Sequence, residues 1–149
     1  MYRILILLFV SIYLLLSIVL IGQTNELYLK IEEKSYQSNI TIQYLIENNQ
    51  LRITKLNYNN KKKLIYKKKL NDGNIGQLYE VIETLNIFKL DTLYERQALD
   101  GLFWCIEVKY NTNRIKIIVE NTIQPDLNFL FNEINKFINK REYYILLTY

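Results

Sequence analysis

The sequence predicts an α+β fold: a mainly antiparallel sheet with two amphipathic helices on one face, preceded by an N-terminal hydrophobic helix. Three observations carry this. Several segments alternate apolar and polar residues and are joined by short Asn-rich turns, the pattern of half-buried strands. Two later segments repeat apolar residues at helical spacing instead. The run Ile4 to Ile21 contains no charge, glycine or proline.

That run would span about 27 Å as a helix, close to the thickness of a bilayer core. It is longer than the apolar region of an ordinary cleaved signal peptide. Its small-x-small sites near Gly22 to Thr24 are poor. Residues 1–22 are therefore expected to be a signal anchor, with cleavage near Gly22 to Thr24 as the alternative. Arg3 and the amino terminus favour an inside N-terminus and a translocated domain. The alternative outcome is a secreted or periplasmic protein.

Residues 23–149 are long enough for one packed core and too short for two ordinary domains. Leu27, Leu29 and Ile31 mark a first strand, and Ile40, Ile42, Tyr44 and Ile46 a second. After Asn48-Asn49-Gln50, a third strand places Leu51, Ile53 and Lys55 on one side and Arg52, Thr54 and Leu56 on the other. Leu64-Ile65-Tyr66 reads as a fourth strand inside lysines, which suit a sheet edge. Asn71-Asp72-Gly73-Asn74 supplies helix caps, and Ile75, Leu78, Ile82 and Leu85 recur at helical spacing. A loop follows, with Leu90, Leu93 and Tyr94 expected to plug into the core. Residues 102–110 and 114–120 form a hairpin in which Trp104, Ile106 and Val108 answer Ile115, Ile117 and Val119. Pro125 opens a last helix, where its missing N–H costs nothing. Residues 143–149 are expected to form a final strand or to continue that helix. Trp104 and Phe88 are expected core residues.

Composition bounds the chemistry. Half the residues are hydrophobic and 23% are charged, which excludes a disordered chain. There is no histidine, so Ser-His and Cys-His nucleophilic sites are excluded. Four glycines make no phosphate-binding fingerprint, and no cofactor is expected. The single cysteine, Cys105, lies in a predicted strand and reads as an inert thiol. The remaining candidates for acid–base work are Asp91, Glu95, Asp100 and Glu107. A carboxylate hydrolase would need Glu95 and Asp100 in one cleft. The simpler reading of Asp100-Gly101 is a turn.

The formal net charge is +4, too modest for a dedicated nucleic-acid binder. It is also uneven. Residues 52–69 hold Arg52, Lys55, Lys61, Lys62, Lys63, Lys67, Lys68 and Lys69 and no acid, so the rest of the chain is net acidic. Lys61, Lys62, Lys63, Lys67, Lys68 and Lys69 are the candidate contacts to an anionic surface, such as an envelope polymer or lipid headgroups. Against this stands the composition. Thirteen tyrosines beside one proline and four glycines suggest an AT-rich coding sequence, in which Lys and Asn clusters accumulate by drift.

Asn-Ile-Phe-Lys-Leu at 86–90, Tyr94, Asp100-Gly101, Trp104-x-Ile106-x-Val108 and Pro125 with its helix form a further pattern. Over about residues 75–138 the chain resembles a family of small exported bacterial proteins of unknown function. The resemblance implies this fold and export, and brings no catalytic residues. The expected function is that of a membrane-anchored or exported cell-envelope protein acting by binding, without catalysis. The alternative is a small inhibitor or immunity-type protein that docks to a protein partner through an acidic or Tyr-rich face.

Overall fold

The computed structural model describes residues 26–35, 39–57, 59, 61–96, 102–122 and 124–145. The apolar run, Asp100-Gly101 and residues 146–149 lie outside the described residues, so the expected N-terminal helix is not part of this description.

Four strands form a meander: β1 (Leu27–Ser35), β2 (Ile40–Glu47), β3 (Gln50–Asn57) and β4 (Lys62–Lys69). Helix α1 (Asp72–Thr84) leads through a 3-10 turn (Ile87–Lys89) to the short β5 (Leu93–Glu95). The hairpin β6 (Leu102–Tyr110) and β7 (Asn113–Glu120) precedes helix α2 (Pro125–Lys136). The sheet order is β4-β3-β2-β1-β6-β7-β5. All pairs are antiparallel except β5 with β7. The α+β class and the mainly antiparallel sheet are therefore as the sequence predicts.

Period-2 patterning fixes which face is buried. Leu29 of β1 stands opposite both Ile46 of β2 and Val108 of β6, and Ile31 opposite Tyr44 and Ile106. All six are buried in one apolar cluster with Leu51, Ile53, Ile117 and Val119. Helix α1 adds Ile75, Leu78 and Ile82 to this cluster, and α2 adds Leu127, Leu130, Phe131 and Ile134. Both helices thus cover the same face of the sheet. Trp104 is fully buried in the cluster, while Phe88 packs against its margin.

The turns depend on asparagine. The β2–β3 loop is Asn48-Asn49, both left-handed, since Glu47 pairs directly with Gln50. Such two-residue loops match the twist of the strands only with positive φ. Asn71 caps α1: its side chain accepts from the Asn74 N–H at 2.8 Å, and the Asn74 side chain accepts from the Asn71 N–H at 3.3 Å. Asn86 is left-handed just past the helix end, the place glycine usually takes.

Two expectations need correction. Leu93 does not plug the core: it is 51% exposed, because pairing with Ile118 turns it to the other face of the sheet. Helix α2 stops at Lys136 and does not run on; of the expected strand 143–149, Tyr143 closes the 3-10 turn Arg141–Tyr143, residues 144 and 145 are in no strand, and 146–149 lie outside the described residues. The tail is instead held by one side chain. The Asn135 amide donates to the Ile145 carbonyl and accepts from the Ile145 N–H, both at 2.8 Å, and Ile145 is buried. Strand β4 stands at the sheet edge as expected, with Leu64-Ile65-Tyr66 inside lysines.

Candidate functional site

The expected lysine contacts lie on or beside β4, at the edge of the sheet. They do not form one patch. Lys62 pairs with Leu56, Lys67 with Arg52 and Lys69 with Gln50, all on the face away from the helices. Lys63 pairs with Lys55 and Lys68 with the buried Leu51, on the helix side. Between Leu64 and Tyr66 the pairing skips Ile65, a bulge that inverts the alternation halfway along the strand. Lys68 is engaged there: its ammonium donates to the Phe137 carbonyl at 3.0 Å. The Tyr66 hydroxyl lies 3.2 Å from the same carbonyl, so β4 is bolted to the end of α2. Lys61 is exposed just before the strand.

The face away from the helices collects further charge that the linear window does not show. One row across the sheet reads Lys67, Arg52, Leu45, Lys30, Glu107, Lys116. A second reads Lys62, Leu56, Thr41, Lys34, Phe103, Glu120, with Glu95 beyond it on β5. A third, between them, reads Leu64, Thr54, Gln43, Glu32, Cys105, Ile118, with Leu93 at its end. Toward the other end of the strands stand Lys69, Gln50 and Glu47 on one side and Tyr28, Lys109 and Arg114 on the other. Nine basic and five acidic residues share this face, a net +4 that equals the formal charge of the whole chain.

Its centre is an ion cluster. Glu107 is nearly buried and receives Arg114 at 2.8 Å, Lys109 at 3.4 Å and Lys30 at 3.8 Å. Burial alone would raise its pKa, but Arg114, Lys109 and Lys30 outweigh this and hold it below the usual carboxylate range. Lys30 also meets Glu32 at 3.4 Å, and Gln43 donates to Glu32 at 3.0 Å. Two aromatic rings carry cations: Lys109 sits 4.5 Å from the centroid of Tyr28, and Lys34 sits 5.6 Å from that of Phe103. Cys105 lies buried among them. Burial pushes its thiol pKa up, against the opposing charge of Lys116, which fits an unreactive group.

The three described carboxylates among those singled out in the sequence are not brought together as a pair. Asp91 and Glu95 are exposed, Glu107 is committed to three cations, and Asp100 lies outside the description. Among the described residues no group of three or more His, Cys, Asp or Glu side chains is placed to hold a metal, and no helix is long and apolar enough to cross a membrane.

A concavity of about 520 Å³ opens at the end of the sheet where β1 begins. Glu26, Asn48, Asn49 and Asp72 line it with Tyr79 of α1. Tyr79 stacks on Tyr110 at 4.7 Å between ring centroids. The Tyr110 hydroxyl points to Glu83 at 3.4 Å.

The class that fold and surface define is a two-layer α+β sandwich with one sheet face sealed by helices and the other open, basic and partly apolar. Comparison with known proteins found no matching family model and no matching curated protein.

Proposed function

We propose that this chain is a membrane-anchored or exported cell-envelope protein that acts by binding, without catalysis. The observation that carries this is the uncharged run Ile4 to Ile21, which ends only five residues before β1 begins at Leu27. A segment of that length and polarity belongs in a bilayer or a translocon. The positive end at Arg3 leaves the domain on the outer side. The open sheet face supports a binding role, since it offers exposed cations and apolar side chains on one surface. The resemblance over residues 75–138 to small exported bacterial proteins points the same way.

Carbonate extraction of membranes followed by N-terminal sequencing tests the reading. The expected result is a full-length chain in the membrane pellet. A soluble chain beginning near Gln23 or Asn25 would replace the anchor by a cleaved signal. A soluble chain with Met1 intact would overturn export altogether.

The end of the domain that carries Glu26, Asp72, Glu83, Tyr79 and Tyr110 favours a second reading, a small inhibitor or immunity-type protein docked by this acidic, Tyr-rich end. Affinity capture of the full chain from envelope extracts discriminates the two. One stoichiometric protein partner, lost on Tyr79→Ala, supports the second reading.

A further inference from the structure

We infer that the open face of the sheet lies against an anionic lipid surface. The inference rests on the proposed anchoring and deepens it by naming what the face touches. Among the described residues three large apolar side chains are strongly exposed: Leu64 (54%), Leu93 (51%) and Phe129 (57%). Two of the three, Leu64 and Leu93, belong to the open face. They stand at opposite ends of one row across all seven strands, on the outermost strands β4 and β5. Six interstrand steps separate them, about 29 Å at ordinary strand spacing. The row between them is Thr54, Gln43, Glu32, Cys105 and Ile118, with Lys67, Arg52, Lys30 and Lys116 in one flanking row and Lys62 and Lys34 in the other, so an exposed leucine at each edge and cations on either side of the row form a platform.

Its charge selects the partner. The face carries net +4: of its five acids Glu107, Glu32 and Glu47 are held by ion pairs, the last with Arg52 at 2.8 Å, while Glu95 and Glu120 stand together at the β5 edge near Leu93. Lys62, Lys67, Lys69 and Lys116 are exposed on the same face. Lysine lets the stem lie on an apolar surface while the ammonium reaches a phosphate, which suits the boundary between headgroups and acyl chains. Tyr28 and Phe103 under their lysines suit the same boundary. A hydrated anionic polymer would satisfy the lysines but would give exposed leucines nothing to contact. A lipid surface satisfies both. The distance also agrees: from Ile21 to Leu27 the chain reaches at most about 20 Å, so an anchored domain cannot leave the bilayer surface.

The test places a spin label on each exposed apolar site of the full chain, as Leu64→Cys, Leu93→Cys or Phe129→Cys. Cys105 is buried, with its thiol pKa raised, and is left in place. The chains are reconstituted in vesicles of phosphatidylglycerol with phosphatidylcholine, and of phosphatidylcholine alone. Collision with oxygen and with a water-soluble nickel chelate is then measured. The expected result is a several-fold loss of nickel access and gain of oxygen access at 64 and 93 in the anionic vesicles, with no change at 129. The change is expected to shrink in phosphatidylcholine alone, in high salt, and in the triple variant Lys62→Gln, Lys67→Gln, Lys69→Gln. Equal behaviour at all three sites would overturn the inference. So would shielding at 64 and 93 that ignores lipid charge and salt, since the face would then be covered by protein. Shielding that appears only on addition of a soluble anionic polymer would also overturn it. Failure of anchoring is read separately: a chain released by carbonate that still inserts positions 64 and 93 into anionic vesicles sinks the anchor and keeps the lipid contact.

Discussion

Two glutamates on opposite faces of the sheet illustrate how placement sets the sign of a charge's effect. Glu33 lies on the helix-covered face, directly opposite Trp104 and Ile42, with Tyr44 one step along β2 and Lys55 beyond Ile42 on β3. Burial raises its pKa, and its charge adds to the burial that raises the Tyr44 pKa. The folded state therefore holds this proton more tightly than the unfolded chain. Glu33 weakens the fold progressively as pH rises from the unfolded value toward the folded one. Glu33→Gln is expected to raise the melting temperature at neutral pH, with the gain vanishing below about pH 4, where both states are protonated. Glu107 is the opposite case. Its pKa is lowered by Arg114, Lys109 and Lys30, so its contribution is present above the unfolded value and lost as pH falls through the folded one. Glu107→Gln is expected to cost about 1–2 kcal/mol at neutral pH, because its three partners remain partly solvated. Urea titrations of both variants at pH 7 and pH 4 check the two signs together. A single amide decides the tail: Asn135→Ala leaves the buried Ile145 N–H and carbonyl unpaired and is expected to cost about 2–4 kcal/mol.

At the scale of elements, asparagine does the work that glycine does in most proteins. Among the described residues five non-glycine positions have positive φ, and all five are asparagine: Asn48, Asn49, Asn86, Asn111 and Asn121. Asparagine tolerates the left-handed region better than other side chains, though less well than glycine. The drift reading of the Asn clusters is thus incomplete, since the fold uses them at two hairpin loops, one helix end and the exit of β7. Asn49→Gly is expected to stabilise by a few tenths of a kcal/mol, through the better fit of Asn-Gly to a loop with two positive φ values. Asn71→Ala removes the cap of α1 and is expected to cost about 1 kcal/mol. Thermal unfolding followed by circular dichroism measures both.

For the whole molecule the decisive contacts join sheet to helices. Trp104 is the largest fully buried side chain, and its indole N–H has no partner among the described residues. Its role is therefore packing, and Trp104→Ala is expected to cost about 3–5 kcal/mol, enough to threaten a domain of this size. Calorimetry of that variant should show a sharply lowered transition. An unchanged transition would mean that the ring does not support the core. Phe88 sits at the margin, so Phe88→Ala is expected to cost clearly less.

Much of this was legible in the sequence because it follows from local rules. Alternation of apolar residues assigned β1, β2, β3, β6 and β7 and chose their inner faces, since the strand period admits only two choices. Helical spacing and caps located α1 and α2 for the same reason. The sequence also dictated the missing chemistry, because no fold can supply an absent histidine. Strand order was beyond it: β6 beside β1, and β5 parallel to β7, are pairings between segments distant along the chain. The same non-local pairing turned Leu93 outward and made Leu64 and Leu93 the two ends of one row. Strand alternation divided the five lysines of β4 between two faces and the bulge at Ile65 brought Lys62 together with Lys67 and Lys69 on the open side, while Lys30, Lys34, Lys109, Arg114 and Lys116 came from other strands to join them. A linear window counts charge along the chain. A sheet distributes it by pairing, so only the tertiary structure decided which cations share a surface.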